Sequence, residues 1–578
     1  MPKSSPIPPV RSAGWRTGPA LVTAILALTV VGTVLSPIQV ILPHDRASAA
    51  LLSEARSKPH TDLTVIVRER RPHATAAEDL VRALGGHIVD ELPIVDGFTA
   101  SVPASGVDDL LTAPAVLKAW PDGDIHMDGA PNLDGYDSKG ANEIWRQAIG
   151  LPKDFRTGGP TGKGATVALI DTGVSKSTDL GNRVLARVDL TPDHDGYDRY
   201  GHGTHMSGLI AGDGTLSGGK WEGAAPRANL VSIKVAGWDG STDVSVVLAG
   251  LQWVVTNRSK YNIRVLNLSY GTDSVQSYRK DPLDFAVERV WFSGIFVVVA
   301  AGNRGPYTGT IDKPGDDPYV LTVGAADLRG TIQPGDDLVA SFSSRGPTQD
   351  GVAKPNIVAP GISMASIRDP GSTIDQQHPL AVIDDHYFKG TGTSQATAVV
   401  SGVAAMMFAA NPGLSPNVAK TTLIRTAWPA LAGKPGGGGG LVNAGAAVRA
   451  AAAGTYASVP ANSRLTRSAG LGSLEASRGS THVYTDQNGD GSAEMVSGEI
   501  DVLGHPWNPE TWTTSAWDTT TWNSSPWAPL TASTSGWQTT TFGGATWSGM
   551  GWDAKSWAAK SWSGDTWTGK TWAALTWS

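Results

Sequence analysis

Four runs of apolar residues, 165–170, 230–235, 264–268 and 295–300, constrain the fold of this chain more than anything else in it. Each is a largely apolar stretch, the pattern of a strand buried on both faces. Between them lie helical patterns. Val244, Val247, Leu248, Leu251, Val254 and Val255 recur at three-four spacing, and a second helix is expected near 282–292. Buried strands alternating with helices predict a parallel α/β sheet, with functional side chains at the carboxyl ends of the strands.

The residues found at those ends carry chemistry. Asp171, in Asp171-Thr172-Gly173, closes the first strand, where a carboxylate can be held rigidly. Taken alone, such an aspartate more often caps a turn. His202 lies in Gly201-His202-Gly203-Thr204-His205, and its flanking glycines make it the more accessible of the two histidines. Either could be structural, and two histidines without further ligands do not make a metal site. Asn303 ends Ala300-Ala301-Gly302-Asn303, where a side-chain amide can donate to an oxyanion, although Gly-Asn is most often a turn. Leu268-Ser269-Tyr270-Gly271 ends the preceding strand and offers main-chain groups to an extended peptide. Ser394 follows Gly390-Thr391-Gly392-Thr393 and opens a small and apolar run, 396–410, that reads as a helix buried on every side. A hydroxyl at the first turn of such a helix suits a nucleophile, since free N–H groups favour a developing negative charge. A lone Gly-Thr-Ser would be better read as a helix cap.

Together these stretches resemble the subtilisin-like serine peptidase family. The resemblance rests on Asp171-Thr172-Gly173, Gly201-His202-Gly203-Thr204-His205, Ala301-Gly302-Asn303 and Gly392-Thr393-Ser394, in the Asp, His, Asn, Ser order of that family. Asn267-Leu268-Ser269, Phe342-Ser343-Ser344-Arg345-Gly346-Pro347 and the segment 354–361 support it. It implies a subtilisin-like α/β fold, a parallel sheet with helices on both faces, over 130–453. It also implies roles: Ser394 as nucleophile, His202 as general base and acid, and Asp171 orienting the imidazole. Asn303 would complete the oxyanion hole, Ser269, Tyr270 and Gly271 would line the substrate edge, and Ala301 and Gly302 one pocket wall. The expected function is a secreted serine endopeptidase, made as an autoprocessed precursor and acting on polypeptide substrates through an acyl-enzyme. Two residues depart from the family pattern, Gln395 after the serine and the bulky Tyr270. The segment 365–388 looks like an enlarged loop that narrows the cleft.

The flanking regions have their own signatures. Lys3, Arg11 and Arg16 precede an apolar run, 20–35, and Ala47-Ser48-Ala49 offers a cleavage site, so 1–49 reads as a signal peptide, with an N-terminal membrane anchor as the alternative. Residues 58–125 show a βαββαβ order, a ferredoxin-like α+β unit. By the same resemblance this unit would be a propeptide that assists folding and inhibits the enzyme until removed. Residues 454–500 read as a connector. Within it Asp486, Asn488 and Asp490-Gly491 begin like a calcium loop, but position twelve is Ser497 rather than glutamate. A plain turn is the better reading. No cofactor is required, and calcium is left open with no ligands assigned. In 501–578, 13 of the 21 tryptophans recur every five residues from Trp507 to Trp577, a spacing that fits one face of neither helix nor strand. The tail is expected to be a solenoid-like coil, or an extended surface segment whose tryptophans rest on cell wall, glycan or the domain of 130–453. The competing reading makes the whole chain a catalytically silent subtilase-like module whose working part is this tail. A net charge of −7 argues against nucleic acid as partner, and the absence of cysteine excludes disulfides and thiol catalysis.

Overall fold

The structure is a computed structural model of the chain. It describes residues 51–52, 55–56, 59–70, 75–92, 97–121, 141–152, 160–191, 195–485, 494–502 and 504–515, with two short pieces, 547–548 and 559–561. The segment read as a signal peptide, the calcium-like loop and most of the tryptophan repeat lie outside the described residues. Two compact units meet in the sequence at Gly123 and Asp124.

In the first unit, strands β1 (Asp62–Glu69), β2 (His87–Leu92), β3 (Gly97–Pro103) and β4 (Val116–Pro121) alternate with helices α1 (Ala76–Ala83) and α2 (Val107–Thr112). The strands form one antiparallel sheet in the order β2-β3-β1-β4. Alternate residues of β1, Leu63, Val65 and Val67, are buried and share a core with Ala77 and Val81 of α1 and Val107 and Leu110 of α2. The period of two along the strand thus gives the sheet one apolar face, which the two helices cover.

The first helix described in the second unit is α3 (Trp145–Ala148), a single turn. The Asn142 side chain accepts from Ile144 N–H at 3.2 Å, a local turn that competes with helix there. Its sheet contains β5 (Thr166–Asp171), β6 (Val184–Asp189), β7 (Asn229–Lys234), β8 (Ile263–Leu268), β9 (Phe296–Ala300), β10 (Leu321–Asp327), β11 (Leu338–Val339) and β12 (Ile357–Pro360). The order is β6-β7-β5-β8-β9-β10-β11, with β12 also paired to β10. All of these pairings are parallel except β10 with β11. Every residue of β5 and β9 is buried, which is why β9 is wholly apolar and β5 is apolar between Thr166 and Asp171. The chain leaves β5 towards β6 and β7 on one side and later continues through β8 on the other. That reversal opens a crevice at the carboxyl end of β5.

The helices pack in two sets. Helix α4 (His202–Ala211) and the long α8 (Thr393–Ala410) pack on each other, and α8 also lies against β8, β9, β10 and β12. Helices α5 (Val244–Asn257) and α6 (Pro282–Phe292) form the other pair. By length and composition α8 could cross a bilayer, but 89% of it is buried inside the protein, so it is a core helix. Strands β13 (Met364–Ile367) and β14 (Tyr387–Gly392) form an antiparallel hairpin that leads into α8, with the short helix α7 (Thr373–Gln377) in its loop.

Parts of the segment read as a connector, 454–500, pack into the second unit. Leu474, Val483 and Val496 belong to the same core cluster as the sheet. So do the first two repeat tryptophans, Trp507 and Trp512, with Trp512 against Phe285 at 5.2 Å between ring centroids. Alanine, serine and glycine dominate 454–480 and carry little pattern, so no periodicity there announces the insertion of Leu474 into the core.

Candidate active site

Asp171 is the last residue of β5 and is fully buried. Its Oδ1 accepts from the Thr172 N–H at 2.8 Å and meets His202 Nδ1 at 2.7 Å. A carboxylate at Nδ1 fixes the tautomer with the proton on Nδ1, which turns Nε2 into the basic nitrogen. The two segments approach backbone to backbone. A Cβ on Gly203 would lie 2.1 Å from the Gly173 carbonyl oxygen, and one on Gly201 2.5 Å from Ser372 Oγ. Only glycine allows either contact.

The same contacts correct one expectation. The glycines beside His202 were expected to leave it accessible, yet it is completely buried. Residues without Cβ atoms let neighbouring chain close in rather than solvent. Part of that neighbouring chain is the enlarged loop between β13 and β14. It latches onto the residues ahead of His202 through Thr373 N–H to Arg199 O and Ile374 N–H to Tyr200 O, both at 3.0 Å. Beside it lies a cleft of about 490 Å³ lined by Ser175, Trp238, Asp369 and Gln376 among others.

The second histidine is settled as structural by its surroundings. His205 is buried, its Nε2 faces the Phe388 carbonyl at 3.2 Å, and burial followed by the nearby His202 pushes its pKa down to about 3. Sequence reasoning missed Asp198, which ties the site together. Buried Asp198 accepts from Thr172 Oγ1, Gly201 N–H and Thr204 N–H, all at 2.7 Å. Burial raises its pKa while those three donors hold it down. Thr172 Oγ1 in turn receives the Gly203 N–H at 2.9 Å. No motif marks Asp198, since its partners come from β5 and α4 at once.

Ser394 is the second residue of α8 and is buried. Its hydroxyl is directed at the Ser269 carbonyl at 3.5 Å, the limit of a hydrogen bond, rather than held by the imidazole. Ser269 Oγ receives Asn267 Nδ2 at 3.0 Å, and Asn267 Oδ1 accepts from Ser401 Oγ at 2.8 Å, so the end of β8 is pinned to α8. Asn303, half-buried past the end of β9, accepts at Oδ1 from both the N–H and the hydroxyl of Thr393, each at 3.0 Å. With Oδ1 engaged by these donors, the amide nitrogen is the end of the side chain left to act as a donor.

Tyr270 and Ser269, read as part of the substrate edge, both bury their side chains. Gly271, Ala301 and Gly302 are buried close by. Gly302 has φ +98°, and a Cβ there would sit 2.0 Å from Asp312 Oδ2. On the far side of the hairpin, residues 559–561 of the tail pair antiparallel with β14, Gly392 opposite Ala559 and Thr391 opposite Ser561. An extended chain therefore fits against β14 within three residues of Ser394. Among the described residues, no three His, Asp or Glu side chains are grouped to hold a metal ion.

An acid bonded to an imidazole at the end of a parallel strand, with a hydroxyl on a buried helix N-terminus, defines a parallel α/β protein with a candidate acid–base–nucleophile site. The chain belongs to the subtilase family: the family model matches residues 162–524. It is 41% identical over 273 residues to serine protease AprX of Bacillus subtilis, a match covering 46% of this chain and 61% of that protein. The chain thus spans less than two thirds of that relative. It is 35% identical over 291 residues to subtilisin Savinase of Lederbergia lenta, half of this chain and 93% of that one. Among solved structures it is similar to fervidolysin from Fervidobacterium pennivorans, with 25% identity, a TM-score of 0.43, and coverage of 68% and 61% of the two chains.

Proposed function

We propose that this chain is a serine endopeptidase that hydrolyses polypeptides through an acyl-enzyme, exported as a precursor with the 58–125 unit as its intramolecular inhibitor. The observation that carries the reading is the 2.7 Å contact between buried Asp171 and His202 in a site that also presents Ser394 at a helix start. In the first step Ser394 Oγ bonds to the scissile carbonyl carbon while its proton passes to His202 Nε2. The imidazolium is stabilised by Asp171 and returns the proton to the leaving amine as the C–N bond breaks. Water then repeats the sequence on the ester and frees Ser394. The growing oxyanion would take hydrogen bonds from the Ser394 N–H and from the Asn303 amide, whose orientation Thr393 already fixes.

The test is chemical labelling with a serine-directed fluorophosphonate, read by mass spectrometry of the secreted protein. Wild type should be labelled at Ser394, and Ser394→Ala should accumulate uncleaved precursor. Asn303→Ala should retain labelling but lose roughly 100- to 1,000-fold in kcat. A folded, mature wild type that is neither labelled nor hydrolyses any peptide would falsify the reading.

A further inference from the structure

Asp312 occupies the space between the two segments read as substrate edge and pocket wall. A Cβ on Gly302 would lie 2.0 Å from its Oδ2, and a Cβ on Gly271 would lie 2.7 Å from its Cβ. Both positions are glycine because this carboxylate fills the room a side chain would need. Asp312 is only 7% exposed. Its Oδ1 takes Arg304 Nε at 2.7 Å and Arg304 Nη2 at 2.5 Å. Its Oδ2, the oxygen facing Gly302, takes no hydrogen bond from any described residue. Arg304 is 41% exposed, a surface side chain covering one edge of the acid and leaving the other.

We propose that Asp312 selects a lysine or arginine side chain on the acyl side of the scissile bond, the cation entering between Gly271 and Gly302 to meet Oδ2. This rests on the peptidase reading and names its substrate class. A carboxylate oxygen on a residue this little exposed is poorly hydrated, and a cationic donor supplies the contact that water gives it only in part. An apolar side chain in the same place would strip water from Oδ2 and return nothing, which is the situation in which a polar pocket discriminates most strongly. The surrounding charge favours a cation as well. Asp273 and Asp316 add their fields to that of Asp312, and Arg304 offsets one of these. Asp316 is itself bound by Lys313 at 2.6 Å, deeper in the protein.

The experiment compares anilide peptides carrying Lys, Arg, Leu, Phe or Glu before the scissile bond, cleaved by the full-length, self-processed enzyme. Wild type at pH 8 should cleave Lys and Arg peptides at least tenfold better in kcat/KM than the others. Asp312→Asn, which keeps the shape, should lower the Lys:Leu ratio tenfold or more, chiefly through KM. Arg304→Ala removes the competing cation and should raise that ratio severalfold, which keeps the test open if the first variant misfolds. Burial, opposed by Arg304, raises the Asp312 pKa to about 6. The wild-type ratio should therefore fall between pH 8 and pH 5 while that of Asp312→Asn stays flat. Hydrolysis that prefers Leu, Phe or Glu, or a Lys:Leu ratio indifferent to both substitutions, overturns this assignment alone. No hydrolysis and no fluorophosphonate labelling would remove the peptidase reading, and this assignment with it.

Discussion

Gln395 follows the candidate nucleophile and is completely buried, and neither its Oε1 nor its Nε2 has a hydrogen-bond partner among the described residues. Every other polar side chain on α8 is bonded: Thr393 to Asn303, Ser394 to Ser269, Thr397 to the Thr393 carbonyl and Ser401 to Asn267. A buried amide left this way costs the desolvation of both its polar atoms. Gln395→Leu removes them at similar volume and should stabilise the fold by about 1–3 kcal/mol. The measurement is urea unfolding in a Ser394→Ala background, where self-digestion cannot distort the curve. An unchanged or lower midpoint would mean that the amide is satisfied by something else, such as an ordered water.

At the scale of elements, the feature that stands out is how the segment after 454 is fastened. Arg478 ends the short helix α9 (Leu474–Arg478) and is wholly buried. It donates to Asp243 at 2.6 Å, to Glu475 at 3.0 Å and to the carbonyl of Gly498 at 2.9 Å. Asp243 is also the N-cap of α5, accepting from Ser245 N–H at 2.9 Å. One ion pair therefore holds the start of α5 and the late segment together. The attraction of Arg478 keeps the Asp243 pKa below its ordinary value despite burial, which by itself would raise it. Removing one partner of such a pair strands the other, so Arg478→Ala should cost about 3–5 kcal/mol. A loss under 1 kcal/mol in thermal or urea unfolding would show that water reaches Asp243 once the arginine is gone.

For the whole molecule, the position of a truncation matters more than its length. Trp507 and Trp512 lie in the core, with centroids 5.0 Å apart, so a chain ending at 500 loses packed structure. A chain ending at 515 keeps both. The longer version should melt within a few degrees of the full chain and the shorter should lose 10 °C or more, as expected when several kcal/mol of aromatic burial disappear. Equal melting temperatures would contradict the packing. Deleting 516–578 also removes the strand 559–561 from β14, which should speed cleavage of long peptides relative to short ones.

The sequence by itself determined the sheet and the strand ends. Runs such as 165–170, apolar but for Thr166, and 295–300, apolar throughout, have that composition because both faces of those strands are covered, and the pattern is local enough to read along the chain. Asp171, Asn303 and Ser394 were legible for the same reason, each standing where a recognisable strand ends or helix begins. Other things depend on residues far apart in sequence meeting in space. The burial of His202 follows from Ser372 closing on Gly201, 171 positions away. Asp312 acquires meaning only between Gly271 and Gly302, and Asp198 only where β5 and α4 converge. The entry of Trp507 and Trp512 into the core is announced by no change in the five-residue period of the repeat. Periodicity reports which face of an element is covered, whereas only the tertiary structure decides what covers it.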